Sequence, residues 1–235
     1  MRPDIKPMYN EKALVIEDHL IIADLHLGLE HELEKKGIKI PPQAVPMIER
    51  IIGLLRDSGA RHLVILGDIK HNIPQISWHE YSQIPAMVKT LSNYADVTII
   101  KGNHDGNIEK LLPDTPVLKN LKIGDSLLLH GHTRVPEEKF ARIIVGHNHP
   151  CVEFRNSFKS TKETAWIKTR LTKSYGKTKT PPEVIIMPAF NDLISGTPIN
   201  SKKRLLGPLF KLIDIKNADA YLLDGTHLRI RDITL

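Results

Sequence analysis

Short apolar runs in this chain end, one after another, on aspartate, asparagine, histidine and glycine. Residues 20–23 lead into Asp24-Leu25-His26, residues 63–66 into Gly67-Asp68, and residues 97–100 into Lys101-Gly102-Asn103-His104-Asp105. Residues 127–129 lead into His130-Gly131-His132, and residues 143–145 into Gly146-His147-Asn148-His149. Runs of this length, rich in Ile, Val and Leu and without strict polar alternation, suit strands covered on both faces. Similar runs lie at 13–16 and 184–187. Between them Val45, Ile48, Ile51, Ile52 and Leu55 recur at helical spacing, as do Ile84, Val88 and Leu91, with Pro41-Pro42 and Pro74 before the helix starts. Alternating strands and helices predict an α/β layered architecture in one domain, residues 1–235. Residues 222–228 read as a closing hairpin on the Asp224-Gly225 turn, and the part from Ser201 onward is expected to complete a second sheet.

In an open α/β sheet, ligands bind outside the C-terminal ends of the strands, so the five loops are expected to converge on one site. Asp, Asn and His are oxygen and imidazole donors that suit Mn²⁺, Fe²⁺, Zn²⁺, Ni²⁺ or Mg²⁺. Cys151 is the only cysteine, which argues against a structural thiolate zinc site or an intrachain disulfide and leaves that residue to packing. In Asp24-Leu25-His26 and His147-Asn148-His149 the donors stand at i and i+2, which in extended backbone puts both side chains on one side. Glycines 67, 102, 131 and 146 beside the donors allow tight turns and close approach.

The order DxH, GD, GNHD, H, GHxH, from Asp24 to His149, resembles the calcineurin-like metallophosphoesterase superfamily. Within it, residues 22–28 (Ile-Ala-Asp-Leu-His-Leu-Gly), 67–71 (Gly-Asp-Ile-Lys-His) and 188–193 (Pro-Ala-Phe-Asn-Asp-Leu) look like small prokaryotic phosphoesterases related to the nuclease subunit of the double-strand-break repair complex. The resemblance implies a four-layer α/β/β/α sandwich of two mixed sheets flanked by helices. It implies two divalent ions, Mn²⁺ foremost, with Asp24, His26, Asp68 and His149 holding one. Asn103, His130 and His147 would hold the other, with Asp68 bridging. His130 is chosen over His132 because the family places the ligand before the glycine. His104 would contact phosphate and protonate the leaving oxygen, and Asp105 would orient its ring. Water activated between the two ions would attack phosphorus.

Charge is uneven. Net charge is +6, yet between 154 and 180 eight basic residues (Arg155, Lys159, Lys162, Lys168, Arg170, Lys173, Lys177, Lys179) face Glu163 alone. This segment, about 154–182, reads as a basic excursion that meets DNA or RNA, or else as plain solvated surface, with 164–167 as a strand inside it. No apolar run is long enough to span a membrane and the start lacks a secretory signal, so the expected compartment is the cytoplasm. The leading reading is a phosphodiesterase or nuclease acting on phosphate esters. The alternatives are a phosphomonoesterase or cyclic-nucleotide phosphodiesterase, and a non-catalytic metal-organised scaffold. His71 borders the site by its spacing from Asp68. His19, His31, His62, His79 and His227 fall outside the motifs and read as ordinary, as does Arg134. Gly176-Lys177-Thr178 lacks the upstream glycine of a phosphate loop. Asn191 and Asp192 read as structural.

Overall fold

Side-chain alternation along the central strands explains why they are apolar throughout: each face lies under a different layer. The computed structural model describes residues 5–175, 179–201 and 205–235. Lys177 and the Gly176-Lys177-Thr178 sequence lie outside the described residues. A first sheet contains β1 (Ile5–Pro7), β2 (Ala13–Ile16), β3 (His19–Ile22), β4 (His62–Leu66), β5 (Asp96–Ile100) and β6 (Val117–Leu118), in that order. β3 to β6 run parallel, and β1 and β2 complete the sheet antiparallel. α1 (Leu29–Lys35) follows the loop after β3, and in β3 and β4 Leu20, Ile22, Leu63 and Ile65 face α2 (Ala44–Ser58), α3 (Trp78–Leu91) and the one-turn α4 (Ile108–Leu111). The intervening Ile21, Ala23, Val64 and Leu66 face the second sheet.

That second sheet holds β7 (Leu121–Ile123), β8 (Ser126–Leu128), β9 (Arg142–Val145), β10 (Pro150–Arg155), β11 (Ser160–Arg170), β12 (Glu183–Ile186), β13 (Thr197–Pro198), β14 (Asp219–Leu222) and β15 (His227–Arg229). Its order is β13-β10-β11-β12-β9-β8-β7, with β14 on β11 and β15 on β14. It is mixed, since β9 runs parallel to β8 and β12 while β11 runs antiparallel to both its neighbours β10 and β12. Ile123, Leu128, Ile144, Trp166 and Met187 close the core between the sheets. The opposite face is covered by two single 3-10 turns, Leu209–Lys211 and Ile230–Asp232, and by coil around Ile213 and Ala218, so the fourth layer is thin. The C-terminal part therefore completes the second sheet, and β14 and β15 make the hairpin around Asp224-Gly225.

Two local expectations need correction. Val45 is exposed, and the buried face of α2 is Met47, Ile51, Leu54 and Leu55. The basic segment is largely pleated sheet, because β11 buries Ala165, Trp166 and Ile167 and leaves Lys162, Lys168 and Arg170 exposed. Among the described residues, no helix is long and apolar enough to cross a membrane.

Candidate metal centre

The loops after β3, β4, β5, β8 and β9 all leave their sheets at one end of the molecule. Their backbone is unusual. Asp24, His26, Asp68, His147 and His149 have φ of 57, 44, 50, 71 and 43°, the left-handed region that non-glycine residues enter at some cost. The i, i+2 pairs thus do not share a side through extended backbone, as the spacing alone suggested; each donor is turned inward by its own left-handed residue. Such strain clusters where the surrounding structure enforces it for a purpose.

Hydrogen bonds hold these turns. Asp24 N–H donates to the Gly67 carbonyl and His26 N–H to the Asp68 carbonyl, which laces the first two loops together. Buried Asn191 donates from Nδ2 to the Leu25 carbonyl at 2.8 Å, and Phe190 N–H bonds the Ala23 carbonyl. The late Phe190-Asn191 sequence therefore clamps the first loop, while Asp192 pairs with Lys12 and Arg50 at the surface.

Donor atoms converge in two groups. Those of Asp24, His26 and His149 lie within 4.8 Å of one another, as do those of Asp68, His130 and His147. Asp24 Oδ1 is 3.5 Å from His149 Nε2, and Asp68 Oδ2 is 3.6 Å from His26 Nε2 and 3.2 Å from His130 Nε2. Asp68 thus touches both groups. His130 donates from Nδ1 to the Leu66 carbonyl at 3.1 Å, which leaves Nε2 beside Asn103 Oδ1, also at 3.1 Å. A backbone acceptor behind a ligating imidazole is the usual way its tautomer is fixed. His132 stands outside both groups, its ring 5.3 Å from that of His130.

The donor set fits divalent ions. Among the described residues, the buried Nε2 atoms of His26 and His149 have no hydrogen-bond partner, and nitrogens of that kind are costly to bury without one. Glycines leave the room required: a Cβ on Gly67 would fall 2.1 Å from His130 Nδ1, and one on Gly102 would fall 2.1 Å from Asp68 Oδ1. Electrostatics agree. Burial pushes the Asp24 carboxyl up, but His149 and His130 more than offset it and hold it below the ordinary value. Burial likewise opposes ionisation of Asp68, yet the His130 hydrogen bond and charge leave it well below the usual carboxylate range. Both are anionic donors at neutral pH. Burial lowers His26 to about 3 and, with the His130 charge, His147 to about 4, so both are neutral donors. His130 is the exception: burial disfavours its charge, but the Asp68 hydrogen bond and the Asp24 and Asp68 charges raise it to about 9, so a divalent ion would have to displace its Nε2 proton.

His104 and Asp105 part company. The His104 backbone N–H donates to Asp68 Oδ1 at 2.8 Å, and its Nδ1 donates to the His71 carbonyl at 2.5 Å, leaving Nε2 4.0 Å from Asp68 Oδ2. Asp105 does not orient that ring. Its carboxylate accepts from the backbone N–H groups of Asp68, Gly102, Ile69 and Lys70, at 2.8 to 3.3 Å, and so anchors the second loop. Burial and the Asp68 charge push it up to about 6. His71 joins His26 and His104 in a third imidazole group and pairs through Nε2 with Glu32 of α1 at 2.7 Å. Glu32 was missed because nothing in Leu29–Lys35 distinguishes it in sequence from Glu30 and Glu34 of the same helix. Arg134 is exposed.

Residues 19–207 match the family model described as calcineurin-like phosphoesterase. Phosphodiesterase YfcE of Escherichia coli K12 is 30% identical over 124 residues, 48% of this chain and 67% of that protein. A solved structure of the nuclease MPE of Pseudomonas putida superposes with TM-score 0.63 at 19% identity, covering 94% of this chain and 98% of the other.

Proposed function

The chain belongs to the calcineurin-like phosphoesterase family, hydrolases of phosphate esters, and from that premise we propose a two-metal phosphodiesterase acting on nucleic acid or nucleotide-like diesters. The observation that carries the reading is the convergence of the two donor groups on shared Asp68, at the ends of strands from both sheets. Asp24, His26, His149 and Asp68 would hold one ion, and Asp68, Asn103, His130 and His147 would hold the other; Mn²⁺ suits this nitrogen and oxygen set. Two such ions, when bound, make a water nucleophilic at neutral pH and screen charge on the phosphoryl oxygens.

The chain's own residues do the rest. Asp68 and Asp24 supply fixed negative charge, and Asp105 holds Asp68 by its backbone N–H and the flanking turns by those of Ile69, Lys70 and Gly102. His104 is the proton donor to the leaving oxygen when its ring carries both protons: Nδ1–H is committed to the His71 carbonyl, so the proton on Nε2 is the one given up, leaving a neutral imidazole. The diester reading draws on the likeness to phosphodiesterase YfcE and on the exposure of Asn103, which leaves the centre open on one side to an extended chain. Manganese-dependent turnover of bis-p-nitrophenyl phosphate over p-nitrophenyl phosphate, abolished by chelator and in Asp68→Asn, is the expected result. A preference for the monoester replaces the diesterase reading with a phosphatase; no turnover with any divalent ion replaces it with a scaffold.

A further inference from the structure

At the other end of the first sheet, two histidines and an aspartate stand together with no part in the chemistry above. His19 and His62 are the first residues of β3 and β4 and are directly paired in register. By strand alternation they share the face that carries Ile21 and Val64 into the core between the sheets. Their rings stack at 4.6 Å, 22° apart. Asp18, on the turn before β3, accepts the Arg61 and His62 backbone N–H groups at its carbonyl, which pins that turn to the start of β4. Five residues of strand separate His19 from Asp24, roughly 16 Å.

We propose that Asp18, His19 and His62 form a further transition-metal site, for an ion of the Zn²⁺, Ni²⁺ or Co²⁺ class, that ties the ends of β3 and β4 together. Their ligand atoms lie within 4.8 Å of one another. Asp18 Oδ1 is 3.0 Å from His19 Nδ1, and Asp18 Oδ2 is 3.5 Å from His62 Nε2. Two ligands on one ion with bonds of about 2.0–2.1 Å stand about 3.3 Å apart in a tetrahedron, so this spacing is already that of a coordination edge. His62 Nδ1 faces Asp96 Oδ2 at 3.6 Å, the carboxylate-behind-imidazole arrangement that presents the other nitrogen to a metal. His19 Nδ1 is buried and, despite the nearby carboxylate, lacks a hydrogen-bond partner among the described residues. Burial, and then the neighbouring His62, hold His19 below its ordinary value, so it is a neutral donor at pH 7. Arg61 is the competitor: its guanidinium reaches Asp18 Oδ2 at 2.6 Å, but the side chain is 79% exposed and free to swing away. Three protein donors leave room for water, which makes the site exchangeable.

The test is a calorimetric titration of chelator-stripped full-length protein with Ni²⁺, with bound metal counted after desalting. His62→Ala and His19→Ala are expected to lose one equivalent relative to wild type while bis-p-nitrophenyl phosphate turnover stays the same. Asp68→Asn is expected to keep that equivalent. An unchanged count in both histidine variants overturns the proposal, whatever the fate of the catalytic reading. Arg61→Ala tests the site without touching a ligand. It should bind this equivalent about threefold tighter, the scale of one screened surface pair; weaker or equal binding in a folded protein counts against the site.

Discussion

Gly102 has no room for a side chain, because a Cβ would fall 2.1 Å from Oδ1 and 2.3 Å from the backbone nitrogen of Asp68. In Gly102→Ala the shared carboxylate must move by about an ångström, and a displacement of that size at a reacting centre costs about 100-fold in rate. Turnover should fall by that factor, with bound metal reduced and the circular dichroism spectrum unchanged; wild-type turnover would show that the second loop adapts. His104→Ala makes a different prediction. Metal content should stay intact, and the loss should be about 100-fold or more on an alkyl diester, but much smaller on a nitrophenyl ester whose leaving group needs no proton. Equal losses on both would remove His104 as the acid. Histidine and aspartate positions were legible because residues able to hold a metal, placed at strand ends, form a pattern in sequence. The partner of each was not: Asp105 follows His104 directly, yet its carboxylate turns to four backbone N–H groups and the His71 carbonyl takes the ring. Adjacency in sequence does not say which way a side chain leaves a turn.

Between β4 and α3, the loop that carries His71 hangs on Glu80. This fully buried carboxylate accepts the backbone N–H groups of His71, Asn72 and Ser77 at 2.9, 2.8 and 2.6 Å, while Ser77 caps α3 in return. Nearby, buried Lys70 donates to the Asn72 carbonyl and, at 3.4 Å, to that of Gln75. Removing the carboxylate in Glu80→Ala leaves three donors without an acceptor and should cost about 3 kcal/mol in urea denaturation. Glu80→Gln keeps the shape and part of the network, and should recover some of it. The pH dependence follows. Burial pushes Glu80 up, but the backbone donors of Asn72 and Ser77 more than offset it and hold it below the ordinary 4.5. A depressed carboxylate stabilises fully above its unfolded value and loses that contribution as pH falls through the folded one. The stability gap between wild type and Glu80→Gln should therefore narrow as pH falls below the ordinary 4.5; a gap that widens in acid would contradict the ionised state. Ser77-Trp78-His79-Glu80 has the spacing of a capping box, so the helix start was written in the sequence. Its reach back to residue 71 was not, since that depends on how the loop folds over. The same limit explains Val45: spacing located α2, but only packing on the first sheet chose which stripe is buried.

Across the molecule, the strands were legible because both faces of each central strand are covered, which writes an unbroken apolar run. The thin outer layer on the second sheet was not, since two 3-10 turns and coil carry no period to recognise. The basic segment was legible as charge with a strand at 164–167 inside it, which falls within β11, and strand register gives it a place. β11 meets the end of β12 at Ile167 and Ile186, and Ile186 meets Val145, just before His147. Residues 160–166 therefore run past the strand ends on the side of the metal centre, paired with β10, which starts one residue after His149. From His149 to Arg155 is roughly 20 Å of extended chain, so the tip of the β10–β11 hairpin lies up to that far from the centre. Its tip carries Lys159 beside Phe158, which is 98% exposed, and Lys162 lies on the exposed side of β11. Charge is spent within the protein farther back, with Lys168 on Glu183 at 3.2 Å, and also at the tip, where Arg155 pairs with Glu153 at 2.8 Å. Lys159 and Lys162 are therefore the tip cations on which a polyanion reading is tested. If a single-stranded substrate lies along it, Lys159→Gln with Lys162→Gln should flatten the slope of log affinity against log salt by about 1.4, at about 0.7 per phosphate contact. Turnover of bis-p-nitrophenyl phosphate should be untouched, because that small diester reaches the centre without the hairpin. Phe158→Ala should weaken binding by about 1 kcal/mol through lost stacking and leave the salt slope alone. Unchanged slopes in the double variant would return the hairpin to plain solvated surface and leave the open side of the centre as the whole of the substrate site.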